Sequence, residues 1–160
     1  MQLIKYNNNY LSAIHDFQLD QDHIHFPKSP LYHIEKAKEN SDLDCILAFN
    51  QRKQLVSFFV LQCDSEYAKY FTTEKYATIF FRAFSTDKRF LRQGYAKSCL
   101  KSLKMYIKRY YPNIHYIALV VNECNNVSYK LYKSLGFIDT GVVITKHKVK
   151  QRLLQKCIDC

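Results

Sequence analysis

The chain has 160 residues, 48% of them hydrophobic and 15% aromatic through 13 Tyr and 11 Phe, which fits one globular domain over residues 1–160 and excludes a disordered chain. Its formal charge of +10 favours an anionic partner: nucleic acid, an anionic membrane surface or a phosphorylated cosubstrate. The N-terminus lacks a signal-peptide stretch and no later run approaches the roughly 20 apolar residues that cross a bilayer, so a cytoplasmic location without membrane attachment is expected.

In chain order, Leu3 to Tyr6 reads as a first strand and Leu11 to about Leu19 as a helix with Leu11, Ile14 and Phe17 on its apolar side. Asp20 to Pro30, with two prolines, reads as a loop, and Leu31 to Lys38 as a second short helix. Asp44 to Phe49 and Leu55 to Cys63 are apolar runs joined by five polar residues, an antiparallel hairpin. Asp64 to Tyr76 loops towards a buried strand, Ala77 to Thr86, in which Arg82 is the lone charge. A long helix follows from Gly94 to about Tyr110, with Ala96, Cys99, Leu100, Leu103, Tyr106, Ile107 and Tyr110 on its core face and Lys97, Lys101, Lys104 and Lys108 turned outward. His115 to Val121 is the next strand, and strand-helix-strand with a helix of this length implies a right-handed crossover and parallel pairing. A helix over about Asn126 to Leu135 has Val127, Leu131 and Leu135 as its expected core stripe, with Asn125, Ser128 and Tyr132 on the adjoining one; Gly136 stands just past its end. Phe137 to Thr145 and Val149 to Cys157 read as a closing hairpin. The expected fold is α/β (α+β): a mixed sheet of six or seven strands with helices on both faces.

Six cysteines, scattered mostly through apolar segments, suit reduced core thiols better than a disulfide framework. Cys157 and Cys160 form an isolated C-x-x-C pair and His23 and His25 lie two apart without a third ligand, so no metal is expected. The strongest local signal is Arg89 to Leu100, where a strand gives way to a helix through a basic, glycine-containing turn. A helix start leaves backbone N–H groups without partners and carries partial positive charge, so it is suited to hold a phosphate; Gly94 and Ala96 are small enough to let the ligand approach.

Two motifs resemble the GCN5-related N-acetyltransferase (GNAT) superfamily. Leu91-Arg92-Gln93-Gly94-Tyr95-Ala96 matches its Gln/Arg-x-x-Gly-x-Gly/Ala acetyl-CoA loop, with Leu91 in place of the usual Gln or Arg. Asn125 to Phe137 matches an Asn followed by a helix ending in Leu-Tyr-x-x-x-Gly-Phe. The resemblance covers about Ala77 to Gly141; the earlier half is similar in its order of elements to the bacterial diamine and polyamine acetyltransferases. It implies that acetyl-CoA is the acetyl donor, with no metal. Phe84, Ser85 and Thr86 would offer backbone groups to pantetheine and the acyl carbonyl. The loop Arg92 to Lys97, comprising Arg92, Gln93, Gly94, Tyr95, Ala96 and Lys97, would hold the pyrophosphate, and Asn125 would contact the cosubstrate. Tyr132 would protonate the departing CoA sulfur. The acceptor would be a primary amine, a polyamine or another small amine, attacking directly in a ternary complex; Asp16, Asp20, Asp22, Glu35 and Glu66 are carboxylates that could meet a polycation.

Tyr132 could also be a core aromatic, and Asn125 a helix cap. The general base is open among Glu74, Glu123, Asp87 and a water relay. Other readings are a protein or peptide N-acetyltransferase, an acyl-CoA binder without catalysis, and a basic nucleic-acid-binding module using Lys88 to Lys108 and the tyrosines; nucleic acid is not the expected partner. The sequence leaves open a monomer or a homodimer.

Overall fold

Every residue of the apolar run Leu55–Gln62 is buried, so it must be covered on both sides. In the computed structural model, which describes residues 1–20 and 28–159, it is strand β3 of a mixed sheet. The described elements are β1 (Gln2–Lys5), a 3₁₀ turn (Asn8–Tyr10) running into α1 (Leu11–Asp16), α2 (Pro30–Glu39), β2 (Leu43–Phe49), β3, β4 (Thr78–Thr86), α3 (Tyr95–Tyr110), β5 (Tyr116–Asn122), α4 (Asn126–Ser134), β6 (Ile138–Lys146) and β7 (Val149–Cys157). Among the described residues seven strands lie in the order β1-β2-β3-β4-β5-β7-β6. Neighbours are antiparallel except β4 and β5, the pair joined by α3.

The alternation of side chains along each strand sorts the core into two faces. Ile79, Phe81, Ile117, Leu119 and Val121 pack against Cys99, Leu100, Leu103 and Ile107 of α3 and Tyr132 of α4. On the other side α1 and α2 cover Leu47, Phe58 and Val60 with Ile14 and Ile34. Further along that side, Tyr67 from the β3–β4 connection, with Tyr70 and Phe71, covers Phe80, Ala118 and Leu153. Helices therefore lie on both faces. Among the described residues no helix is long and apolar enough to cross a membrane.

Four expectations are corrected. The first helix stops at Asp16 and does not reach Leu19: Phe17 is extended, and Gln18 is held by Asp87, whose carboxylate accepts its N–H at 3.0 Å, and by Lys88, whose N–H donates to its carbonyl at 2.8 Å. That long-range clamp replaces another helical turn. In α4, Val127 is 82% exposed and the buried residue is Tyr132. Tyr110 is 57% exposed at the end of the otherwise buried face of α3. Cys45 and Cys99 are buried free thiols, whereas Cys124 is exposed and Cys157, against the expectation of reduced thiols, is disulfide-bonded. His23, His25, Asp22 and Cys160 lie outside the described residues, and with them the readings placed on those positions.

Candidate active site

The site begins where β4 and β5 stop pairing. They are in register only from Thr78 opposite Tyr116 to Phe80 opposite Ala118. Beyond that point β5 keeps its partner β7 as far as Asn122, while β4 stays with β3 through a bulge. Val60 faces Arg82 and Phe58 faces Ser85, so Ala83 and Phe84 together oppose Phe59, with Ala83 in the left-handed region at φ +58°. The extra residue bends β4 away from its parallel neighbour. The resulting cleft of about 210 Å³ is lined by Phe81 to Phe84, Leu119 to Asn122, Asn125, Ser128 and Tyr132.

The end of α4 fixes Tyr132. Gly136, at φ +92°, donates its N–H to the Lys133 carbonyl (3.2 Å), and Phe137 donates to the Tyr132 carbonyl (3.1 Å), the paired bonds of a Schellman cap. The Phe137 ring packs against Tyr132 with centroids 5.6 Å apart, and Phe81 meets it from β4 at 6.5 Å. The sequence Leu-Tyr-x-x-x-Gly-Phe is thus a device for immobilising a tyrosine at the last turn. Only 8% of Tyr132 is exposed, and its hydroxyl makes no hydrogen bond to any described residue. Burial, aided by the neighbouring Cys99, pushes its pKa well above that of an ordinary phenol. It is therefore a protonated donor facing a cleft. At the other end of α4 the Asn125 Oδ1 accepts the Ser128 N–H at 3.2 Å, so the capping role holds, and it leaves the Asn125 amide NH₂ free among the described residues.

The start of α3 is the second component. Arg92 (φ +61°) and Gly94 (φ +80°) are both left-handed, and a Cβ on Gly94 would meet nothing within 4 Å, so this approach is open. The helix has neither a side-chain cap nor an acidic residue in its first turn. Among the described residues no acceptor meets the amides of Gln93, Gly94, Tyr95, Ala96 and Lys97. Cys99, one turn further, is buried in the same core cluster as Tyr132 and Phe81. This connection places uncapped amides beside the cleft without making them part of its lining.

Of the candidate residues, Phe84, Asn125 and Tyr132 line one cleft. Phe84 faces α3, stacked edge-on against Phe59 and Phe81. Ser85 turns to the opposite face, and Thr86 Oγ1 bonds Ser57 Oγ at 3.0 Å. Leu91 is 41% exposed and Gln93 Nε2 donates back to the Arg89 carbonyl at 3.3 Å. Arg89 itself is occupied by Asp87 (2.7 Å) and Asp16 (3.2 Å). Asp87 has a fully buried side chain that also accepts two backbone N–H groups, a structural clamp without access to the cleft. Glu74 precedes the closed, paired end of β4, and Glu123 lies at the open end, 3.6 Å from Arg152.

Residues missed by the sequence are Arg82, Val120 and Asn122; the lone charge in β4 was the available signal for the first. Three of the carboxylates offered for a polycation are engaged, Asp16 by Arg89, Glu35 by Lys38 and Glu66 by Arg82. Among the described residues no group of three or more His, Cys, Asp and Glu is arranged to hold a metal ion.

Residues 11–137 match the model of the acetyltransferase (GNAT) family. No curated protein matches the sequence. Among solved structures, a chimera of the spermidine N-acetyltransferase SpeG from Vibrio cholerae and hSSAT is similar over 99% of this chain and 98% of its own, with TM-score 0.71 and 16% identity. The ribosomal-protein-S18-alanine N-acetyltransferase of Escherichia coli superposes with TM-score 0.69 at 15% identity, covering 98% of this chain and 93% of its own. The Vibrio cholerae spermidine/spermine N-acetyltransferase SpeG in complex with manganese ions gives 0.69 at 15% identity over 99% and 92%.

Proposed function

The chain belongs to the acetyltransferase (GNAT) family, and from that premise we propose that it moves an acetyl group from acetyl-CoA to the primary amine of a small acceptor, in a ternary complex. The observation that carries this reading is the Tyr132 phenol, held without a described hydrogen-bond partner in the cleft where β4 and β5 separate. With no described partner, and not among the buried unpartnered atoms, this hydroxyl is left available to a ligand atom in the cleft.

The residues fit the cosubstrate. The amides of Gln93 to Lys97 and the positive end of α3 suit a pyrophosphate, and Arg92, with no ion pair among the described residues, adds charge where Leu91 supplies none. The cleft beside them is lined by polar groups, among them Asn122, Asn125 and Ser128, alongside Phe81 and Phe84, which suits a pantetheine chain that alternates amides with methylenes. The amine, in its neutral form, would form the new N–C bond at the thioester carbonyl. As the C–S bond breaks, Tyr132 would give its proton to the sulfur, and the proton shed by the amine would pass to water. Because the phenol's pKa is raised, the donor stays loaded while the pH rises far enough to free the amine.

Small-amine and protein-alanine acetyltransferases share this architecture, so the fold does not select the acceptor. Calorimetric titration with acetyl-CoA, followed by thiol release against an amine panel, tests the reading. Uptake of acetyl-CoA and amine-dependent thiol release are expected; a folded protein that takes up no acetyl-CoA would overturn it.

A further inference from the structure

The cleft passes between two strands, so it has two mouths with different chemistry. Phe81, Leu119, Val121 and Tyr132 belong to the α3/α4 side. Arg82 opposite Val60 and Ser85 opposite Phe58 belong to the other, since Val60 and Phe58 both lie in the core under α2. An acceptor that meets a thioester bound on the first side must enter from the second.

Arg82 dominates that second mouth. Its side chain is 30% exposed and its guanidinium lies 5.5 Å from the Phe80 ring and 5.8 Å from that of Tyr67. All its hydrogen bonds leave from Nη1, to Gln62 Oε1 at 2.6 Å and to the Glu66 oxygens at 2.8 and 3.0 Å. Nε and Nη2 have no described partner. Lys146 adds a second cation 5.3 Å from the same Tyr67 ring, donating to the Tyr67 hydroxyl at 3.4 Å, and meets no carboxylate among the described residues. Burial pushes the Glu66 carboxyl up, but its bonds to Arg82 and the cation's charge outweigh that, so Glu66 stays ionised and matched to Nη1. Two cations against one carboxylate leave the mouth positive. Outside the cleft lining, Ser85 Oγ is buried without any hydrogen-bond partner. It faces the same side as Arg82, two residues along β3, about 7 Å.

We propose that the acceptor is a primary amine bearing a carboxylate, bound through the free Nε and Nη2 edge of Arg82 with its amine directed into the cleft. A guanidinium edge presents two parallel donors that fit a carboxylate, and the aromatic rings beneath fix its plane. A diamine would bring its second ammonium against Arg82 and Lys146. This assignment rests on the acetyl-transfer reading, but can be tested apart from it.

Three four-carbon amines are compared: aminobutanoate, butylamine and diaminobutane, with the functional groups at opposite chain ends. In thiol-release assays with acetyl-CoA, aminobutanoate should show a KM about tenfold or more below that of butylamine, with similar kcat, and diaminobutane the highest KM. Arg82→Gln should erase the carboxylate's advantage, bringing the KM values of aminobutanoate and butylamine together. Glu66→Gln, which removes the one negative charge paired with Arg82, should widen the advantage. The melting temperature of each variant verifies folding. The same amines titrated calorimetrically into the protein with and without CoA decide the subsite independently: failure to take up acetyl-CoA sinks the transfer reading alone. Diaminobutane equal to or better than aminobutanoate in binding or KM, or a carboxylate advantage that survives Arg82→Gln, overturns the assignment.

Discussion

Tyr132→Phe separates the two roles this side chain could have. The substitution deletes one oxygen and retains the ring that packs between Phe81 and Phe137. Because the hydroxyl has no described hydrogen-bond partner, no internal bond is lost and no buried group is stranded. Stability should hold or rise, within about 1 kcal/mol. Turnover should behave oppositely. Removing a general acid costs about a hundred- to ten-thousand-fold in kcat, or about 2.7–5.5 kcal/mol in the barrier. Acetyl-CoA affinity should change little, because the α3 amides are untouched. Since burial raises the pKa of the phenol, wild-type activity should show no alkaline limb from Tyr132 up to about pH 9. Thermal melts, CoA calorimetry and thiol release at saturating amine give the three readouts. Unchanged kcat would remove Tyr132 from the chemistry and leave it a core aromatic; a large fall in melting temperature would contradict the unsatisfied hydroxyl.

Other perturbations address the scaffold. Gly94→Ala meets no steric obstacle but places a side chain at φ +80°, so it should lower stability by about 1–2 kcal/mol and weaken CoA uptake by disturbing the loop, measurable by melts and calorimetry. Asn125→Ala removes the cap bond to Ser128 and should cost about 1 kcal/mol in chemical denaturation. Burial works against ionisation of Asp87, but its bonds to Arg89 and to the Gln18 and Arg89 amides hold its carboxyl below the usual range. Its stabilisation is fully present above the unfolded carboxyl value of about 4 and is lost as pH falls through the folded value, so Asp87→Asn should shrink the acid-denaturation slope in that window. His33 is pushed down to about 4 by burial, then by Arg82 and Lys28. The unfolded chain takes up that proton first, so stability should fall between about pH 6.5 and pH 4, and His33→Asn should flatten that part of the curve.

Local chemistry made much of this architecture legible without coordinates. Hydrophobic periodicity marked strands and helices from β2 onward, the length of α3 required a crossover, and the crossover required β4 and β5 to be parallel neighbours. Gly136 and Phe137 announced the cap that immobilises Tyr132, since a Schellman turn is written in consecutive residues. The bulge could not be read in this way: whether Ala83 and Phe84 share one partner depends on the register imposed by β3, which ends 21 residues before Ala83. That register separates Phe84 from Ser85, opens the cleft and aims Arg82 at the second mouth. The end of α1 was equally non-local, decided by Asp87 reaching across 69 residues to the Gln18 amide. Amino-acid order thus determined the elements and their motifs, because those rest on neighbours along the chain. Tertiary structure decided which face each polar group meets, because one residue of slippage between strands reverses every side chain beyond it.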